Sequence, residues 1–100
     1  MPRMFVYADN AATTAMSKAA ANAMLPAMGE LYGNPSSLHQ KGREANMALM
    51  GARETIAKCL NAEPREVYFT GCGTEADNWA ITEAARLGAE QGKRHIISDT

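Results

Sequence analysis

One hundred residues carry 10 lysines and arginines against 11 aspartates and glutamates, a formal charge of −1, which allows one domain at most. The cations are scattered among acids rather than gathered in a stripe, so a nucleic-acid partner is excluded and a small ligand is favoured over a polymer. No apolar run approaches 18 residues and no leader-like apolar region opens the chain, so neither membrane spanning nor secretion is expected and a cytoplasmic location is.

The apolar fraction of 46% is less than it looks, because 19 residues are alanine whereas Leu, Ile, Val and Phe total only 14. At roughly 25 cal/mol per Å² of buried apolar surface, so few large side chains make a marginal free-standing unit. The composition implies part of something larger or an obligate oligomer. Cys59 and Cys72 lie far apart with no C-x-x-C and no histidines at ligand spacing, which supports neither a disulfide framework nor a zinc site.

In chain order, Phe5 to Ala8 reads as a short extended segment running into the small polar loop Asp9 to Thr14. Ser17 can cap a first helix in which Ala20, Met24, Met28 and Leu31 recur at helical spacing. Pro26 falls inside that pattern and predicts a kink near residues 22 to 26, or a helix in two pieces. Gly33-Asn34-Pro35-Ser36-Ser37 then breaks the helix. The next helix should start between Ser37 and Gly42 and end at Leu60, with Ala45, Leu49, Ala52, Ile56 and Leu60 as one apolar stripe. Cys59, near that stripe, is expected to be buried and inert.

After the loop Asn61 to Pro64, Val67 to Thr70 reads as a strand. Gly71-Cys72-Gly73 is a glycine turn, and Thr74 with Asp77 resembles a capping box opening a helix through Leu87 that Gly92 ends. His95 to Ser98 reads as a second strand. Helices followed by strand, helix, strand are the opening of an α/β domain with a mainly parallel sheet. Two parallel strands are not a finished sheet, so the end at Thr100 reads as a truncation.

The glycine turn is the candidate site. Amides at a helix N-terminus and the positive end of its dipole attract anions, and glycines let the backbone approach closely. One reading is only a β-to-α connection. A second is a dinucleotide fingerprint, since Gly71-x-Gly73-x-x-Ala76 fits G-x-G-x-x-G/A and Asp99 stands where a ribose-binding acid belongs; Glu75 would then bring negative charge to the pyrophosphate. A third is a single phosphate on the amides of Gly73 and Thr74 and on the Thr74 hydroxyl. The phosphate-binding lysine pattern of nucleotide hydrolases is absent. His39 is a ligand, a base, or a capping or packing residue, Trp79 a core residue or subunit contact, and Asn10, Asn34 and Asn78 suit loop-orienting hydrogen bonds.

Three blocks carry a resemblance: Val6-Tyr7-Ala8-Asp9-Asn10-Ala11-Ala12-Thr13-Thr14, Gly33-Asn34-Pro35-Ser36-Ser37-Leu38-His39 and Phe69-Thr70-Gly71-Cys72-Gly73-Thr74-Glu75-Ala76-Asp77-Asn78. In order and spacing they resemble the cysteine desulfurases of the NifS/IscS type, pyridoxal-phosphate enzymes of aminotransferase class V. With Gly42-Arg43 and Ala62 to Val67 the likeness spans essentially the whole chain. It implies the N-terminal part of a fold-type I enzyme, with residues 1–14 packing on the small domain of the full protein and 15–100 beginning the large cofactor-binding domain.

By the same resemblance, Gly73 and Thr74 bind the phosphate of pyridoxal 5'-phosphate. L-cysteine is converted to L-alanine, and its sulfur passes as an enzyme persulfide toward a sulfur-acceptor or scaffold protein for iron–sulfur cluster or thio-cofactor assembly. A homodimer is implied. The cofactor-bearing lysine, the aspartate and histidine that contact the ring and the persulfide cysteine all belong C-terminal to this stretch, so no catalytic group is expected among these residues and the chain alone is expected to be inactive. Gly71-Cys72 departs from a more usual Ser-Gly, and Cys72 is not the family's nucleophile. A selenocysteine lyase-like enzyme, a non-catalytic remnant or interaction module, and a dinucleotide-binding unit are the alternatives.

Overall fold

The computed structural model describes residues 1–98, and Asp99, the candidate ribose-binding acid, lies outside them. Among the described residues three helices form, α1 Lys18–Met28, α2 Gln40–Leu60 and α3 Gly73–Glu90, with one 3₁₀ turn at Pro64–Glu66. The chain divides into two units, Met1–Ile56 and Ala57–Thr100.

In the first unit, Ser17 is the N-cap of α1 in an extended conformation, and its Oγ accepts from the Ala20 amide at 3.1 Å. Pro26 does not split the helix, which continues as one element to Met28. The reason is position. The amide that proline removes is one turn from the end, and the Pro26 carbonyl then accepts from Gly29 (3.3 Å) and Leu31 (2.9 Å) in the closing turn.

The start of α2 at Gln40 falls inside the expected window. Its buried side is shifted from the expected stripe. Gly42 and Ala45 are buried and Leu49 half-buried, whereas Ala52 and Ile56 are exposed. Small residues win here because the loop before the helix lies directly on it. A side chain on Gly33 would collide with the Lys41 carbonyl, and one on Gly42 with the Ser37 carbonyl.

In the second unit, Ala57 is buried while Cys59 is exposed, contrary to expectation. Two residues along a helix is about 200°, so Cys59 faces away from the side that buries Ala57. α2 ends with Asn61 in the left-handed region (φ 53°) and the Ala62 amide on the Ala57 carbonyl at 2.9 Å. α3 ends the same way, with Gly92 at φ 76° and the Lys93 amide on the Gly88 carbonyl at 2.9 Å. The 3₁₀ turn begins at Pro64, and the Glu66 carboxylate accepts from the Glu63 amide at 2.7 Å.

No strand forms among the described residues. Val67 is extended (φ −98°, ψ 118°), as expected of a strand, but the ladder of a parallel pair is completed by neighbours in a larger sheet. Among the described residues, Ala45 and Ala57 are the buried apolar ones and no large side chain is fully buried. The expectation of a thin core holds among the described residues.

Candidate functional site: the glycine turn before α3

Tyr68 and Trp79 set the approach to the turn. Their rings meet edge-to-face with centroids 5.3 Å apart and planes at 66°, the geometry the ring quadrupoles favour. The pair ties the segment before the turn to the second turn of α3 while Trp79 stays half exposed. Thr70 Oγ1 then donates to the Cys72 carbonyl at 3.1 Å, closing the chain around Gly71.

The helix begins two residues earlier than expected. Cys72 is the N-cap, in extended conformation and with no capping bond from its side chain, and Gly73 is the first helical residue. Thr74 is therefore already within the helix and cannot cap it, so the expected Thr74–Asp77 capping box does not form. The reciprocal contact comes from Glu75, whose Oε2 accepts from the Gly71 amide at 2.8 Å. That contact was available to sequence reasoning. Counted from Cys72 as the cap, Glu75 is the third helical residue, the position from which an acidic side chain reaches back over a helix start.

The first intrahelical bond runs from the Ala76 amide to the Cys72 carbonyl at 3.2 Å, which leaves the Gly73 and Thr74 amides without intrahelical partners. Neither Gly71 nor Gly73 has a positive φ, so neither glycine is needed for an unusual backbone. What Gly73 provides is room, because a Cβ built there meets nothing within 4 Å. No hydrogen bond to the Thr74 hydroxyl is formed among the described residues, while the Thr74 carbonyl is held by Asn78 Nδ2 at 2.8 Å. Two amides without intrahelical partners, a hydroxyl and an open side at the positive end of an 18-residue helix are features that could take a phosphate ester. A cavity of about 420 Å³ lies next to the turn, lined by Glu66, Tyr68, Thr70, Ala76, Trp79 and Glu83 among others.

The other two sequence blocks are in the first unit, and each is internally bonded. The Tyr7 hydroxyl lies 3.1 Å from the Asp9 carbonyl and 3.2 Å from that of Thr13, and Thr14 Oγ1 donates to Asn10 Oδ1 at 3.0 Å. Asn34 Oδ1 accepts from the Ser36 amide at 2.9 Å, and the Asn34 carbonyl accepts from Ser37 at 3.0 Å. His39 acts as a helix cap, its Nδ1 accepting from the Gly42 amide at 3.3 Å. Asn10 and Asn34 thus orient loops as their type suggests, whereas Asn78 bonds back within α3.

Lys41 Nζ lies 3.0 Å from Glu44 Oε2. The hydrogen bond to Glu44, then its charge, raises the Lys41 ammonium above the ordinary lysine range, and bonds from Lys41 and Gln40 lower the Glu44 carboxyl. No group of three or more potential metal ligands occurs among the described residues. No helix among them is long and apolar enough to cross a membrane.

Comparison with known proteins adds what geometry alone does not. The family model described as aminotransferase class-V matches residues 6–100. The cysteine desulfurase IscS of Methanosarcina thermophila is 47% identical over 95 residues, which is 95% of this chain and 23% of that protein. The cysteine desulfurase NifS of Azotobacter vinelandii is 47% identical over 94 residues, 93% of this chain and 23% of that protein. A cysteine desulfurase of Cereibacter sphaeroides is 47% identical over 96 residues, covering 95% of this chain and 24% of its own length. The chain thus spans about a quarter of the length of the curated relatives it matches. No solved structure matches it.

Proposed function

This chain belongs to the aminotransferase class-V family, and from that premise we propose that it is the N-terminal part of a pyridoxal-phosphate-dependent cysteine desulfurase of the NifS/IscS type. The observation that carries this reading is its near-half identity to proteins bearing that name. The complete enzyme takes sulfur from L-cysteine, leaves L-alanine, and passes the sulfur as an enzyme persulfide to an acceptor or scaffold protein for iron–sulfur cluster or thio-cofactor assembly. It works in the cytoplasm as a homodimer.

Within this stretch the residues that would hold the cofactor are Gly73 and Thr74. Their amides and the Thr74 hydroxyl would donate to the phosphate, and the open side at Gly73 would let it approach the backbone. When bound, the cofactor supplies the electron sink for bond breaking at the substrate carbon. The role of this stretch is placement. Residues 1–14 lie against the small domain of the complete enzyme, residues 15–100 open the large domain, and the segments 67–70 and 95–98 enter its parallel sheet. Lysine and cysteine chemistry belongs to other parts of the enzyme, so these 100 residues alone turn over no cysteine.

The test uses the complete protein. With L-cysteine and a thiol reductant it should release alanine and sulfide in equal amounts and carry the visible absorption of bound pyridoxal phosphate. Thr74→Ala removes a hydrogen bond to a charged group and should weaken cofactor retention by about tenfold, read as cofactor lost on dialysis. A well-folded protein with neither the absorption band nor sulfide release sinks the proposal, and unaltered retention in Thr74→Ala removes Thr74 from the site.

A further inference from the structure

The Glu75 carboxylate bonds to the amide immediately before the cap of α3, at 2.8 Å from Gly71 N. It lies close against the backbone there, since a Cβ on Gly71 would be 3.2 Å from the same oxygen, whereas Gly73 two residues on is open. None of the ion pairs among the described residues involves Glu75, so its charge is not neutralised by a cation. The turn therefore contains an anion of its own beside the donors proposed to take a phosphate.

We infer that Glu75 is a built-in competitor at the glycine turn, whose charge weakens the hold of Gly73 and Thr74 on the cofactor's phosphate and so sets how tightly the cofactor is retained. This rests on the reading of the turn as a phosphate site. A carboxylate near a helix start already satisfies part of the positive potential there. A phosphate arriving beside it gains less from the helix and is repelled by a like charge at short range. The hydrogen bond to Gly71 and the charge are separable, because an amide side chain can keep the first while losing the second.

Glu75→Gln makes that separation. In the cofactor-free complete protein, the variant should bind pyridoxal phosphate about fivefold more tightly than the parent, the effect of removing one close like charge in a water-exposed site. Pyridoxal, which lacks the phosphate, should bind both proteins equally. Added salt should narrow the difference for pyridoxal phosphate. Glu75→Asp, which retains the charge, should remain at the parent affinity, and Glu75→Ala, which removes the charge, should gain affinity as Glu75→Gln does and provides the second variant if Glu75→Gln folds poorly.

Equal affinity for pyridoxal phosphate in parent and Glu75→Gln overturns the inference, as does an equal gain for pyridoxal. The contact has its own readout. With glycine amides labelled for NMR, the Gly71 resonance of the cofactor-free protein should shift on Glu75→Gln, and an unmoved resonance means the contact is absent and the inference wrong. If neither protein binds pyridoxal phosphate, the phosphate-site reading falls and takes this inference with it. Parent binding with an unchanged variant sinks the inference alone.

Discussion

Two glycine pairs in this chain do opposite things. Gly33 and Gly42 bring backbone against backbone, so that a methyl on either would collide with a carbonyl, at Lys41 or at Ser37. At the turn before α3, Gly71 faces only the Glu75 carboxylate and Gly73 faces nothing within 4 Å. None of the four has a positive φ, so the usual conformational reason for glycine applies to neither pair. One pair is small because something is packed there, and the other because something else needs to approach.

The largest expected effect breaks the comparison on its closed side. Gly42→Ala must displace backbone rather than a flexible side-chain end, and overpacking of this kind costs roughly 1–3 kcal/mol. Urea unfolding of the complete protein should show that loss as a lower midpoint with an unchanged slope. Parent-like stability would mean the loop at residues 33–37 does not lie on α2 as described. On the open side the sign reverses. Gly73→Ala adds a methyl in free space within a helix and should leave stability unchanged or raise it by up to about 1 kcal/mol, while cofactor retention falls because the methyl takes up approach space. A destabilised Gly73→Ala protein would show that the turn is as closed as the first pair.

The closed pair also shows how far sequence reading reaches. Period and punctuation located both long helices: the break at Gly33 to Ser37 and the start of α2 were readable, as were the Ser17 cap and the stop at Gly92. The face that α2 buries was readable only in part. Hydrophobicity selected Ala45 and Leu49, which are buried and half-buried, but also Ala52, Ile56 and Leu60, which are exposed, and it passed over Gly42; close approach by a loop is a tertiary fact that side-chain size can suggest but hydropathy hides. The candidate site was half readable. Glycines before a helix start identified the turn, but assigning the cap to Thr74 rather than Cys72 misplaced the frame by two residues and concealed the reach of Glu75 back to Gly71. The expected strands depend on partners in a larger sheet, which local sequence cannot supply.

The smallest expected effect sharpens the closed side at its polar rim. Lys41 adjoins both Gly33 and Gly42, and its ammonium donates to the Glu30 carbonyl at 3.3 Å, lies 5.5 Å from the centre of the Tyr32 ring, and pairs with Glu44. Glu44 has a lowered folded pKa, owed first to the bond from Lys41 and then to that from Gln40. Its contribution to stability is therefore full above the ordinary glutamate range and is lost as pH falls through the lowered folded value. Lys41 has the opposite sign: its raised pKa gives a contribution full below the ordinary lysine range and lost as pH rises through the raised value. Both groups are exposed and screened, which is why this effect ranks last. Melting temperatures of parent and Glu44→Gln proteins, taken from neutral to acid pH, should converge as the carboxylate is protonated. A gap that persists into acid would assign Glu44 a packing role at the rim instead of an ionic one.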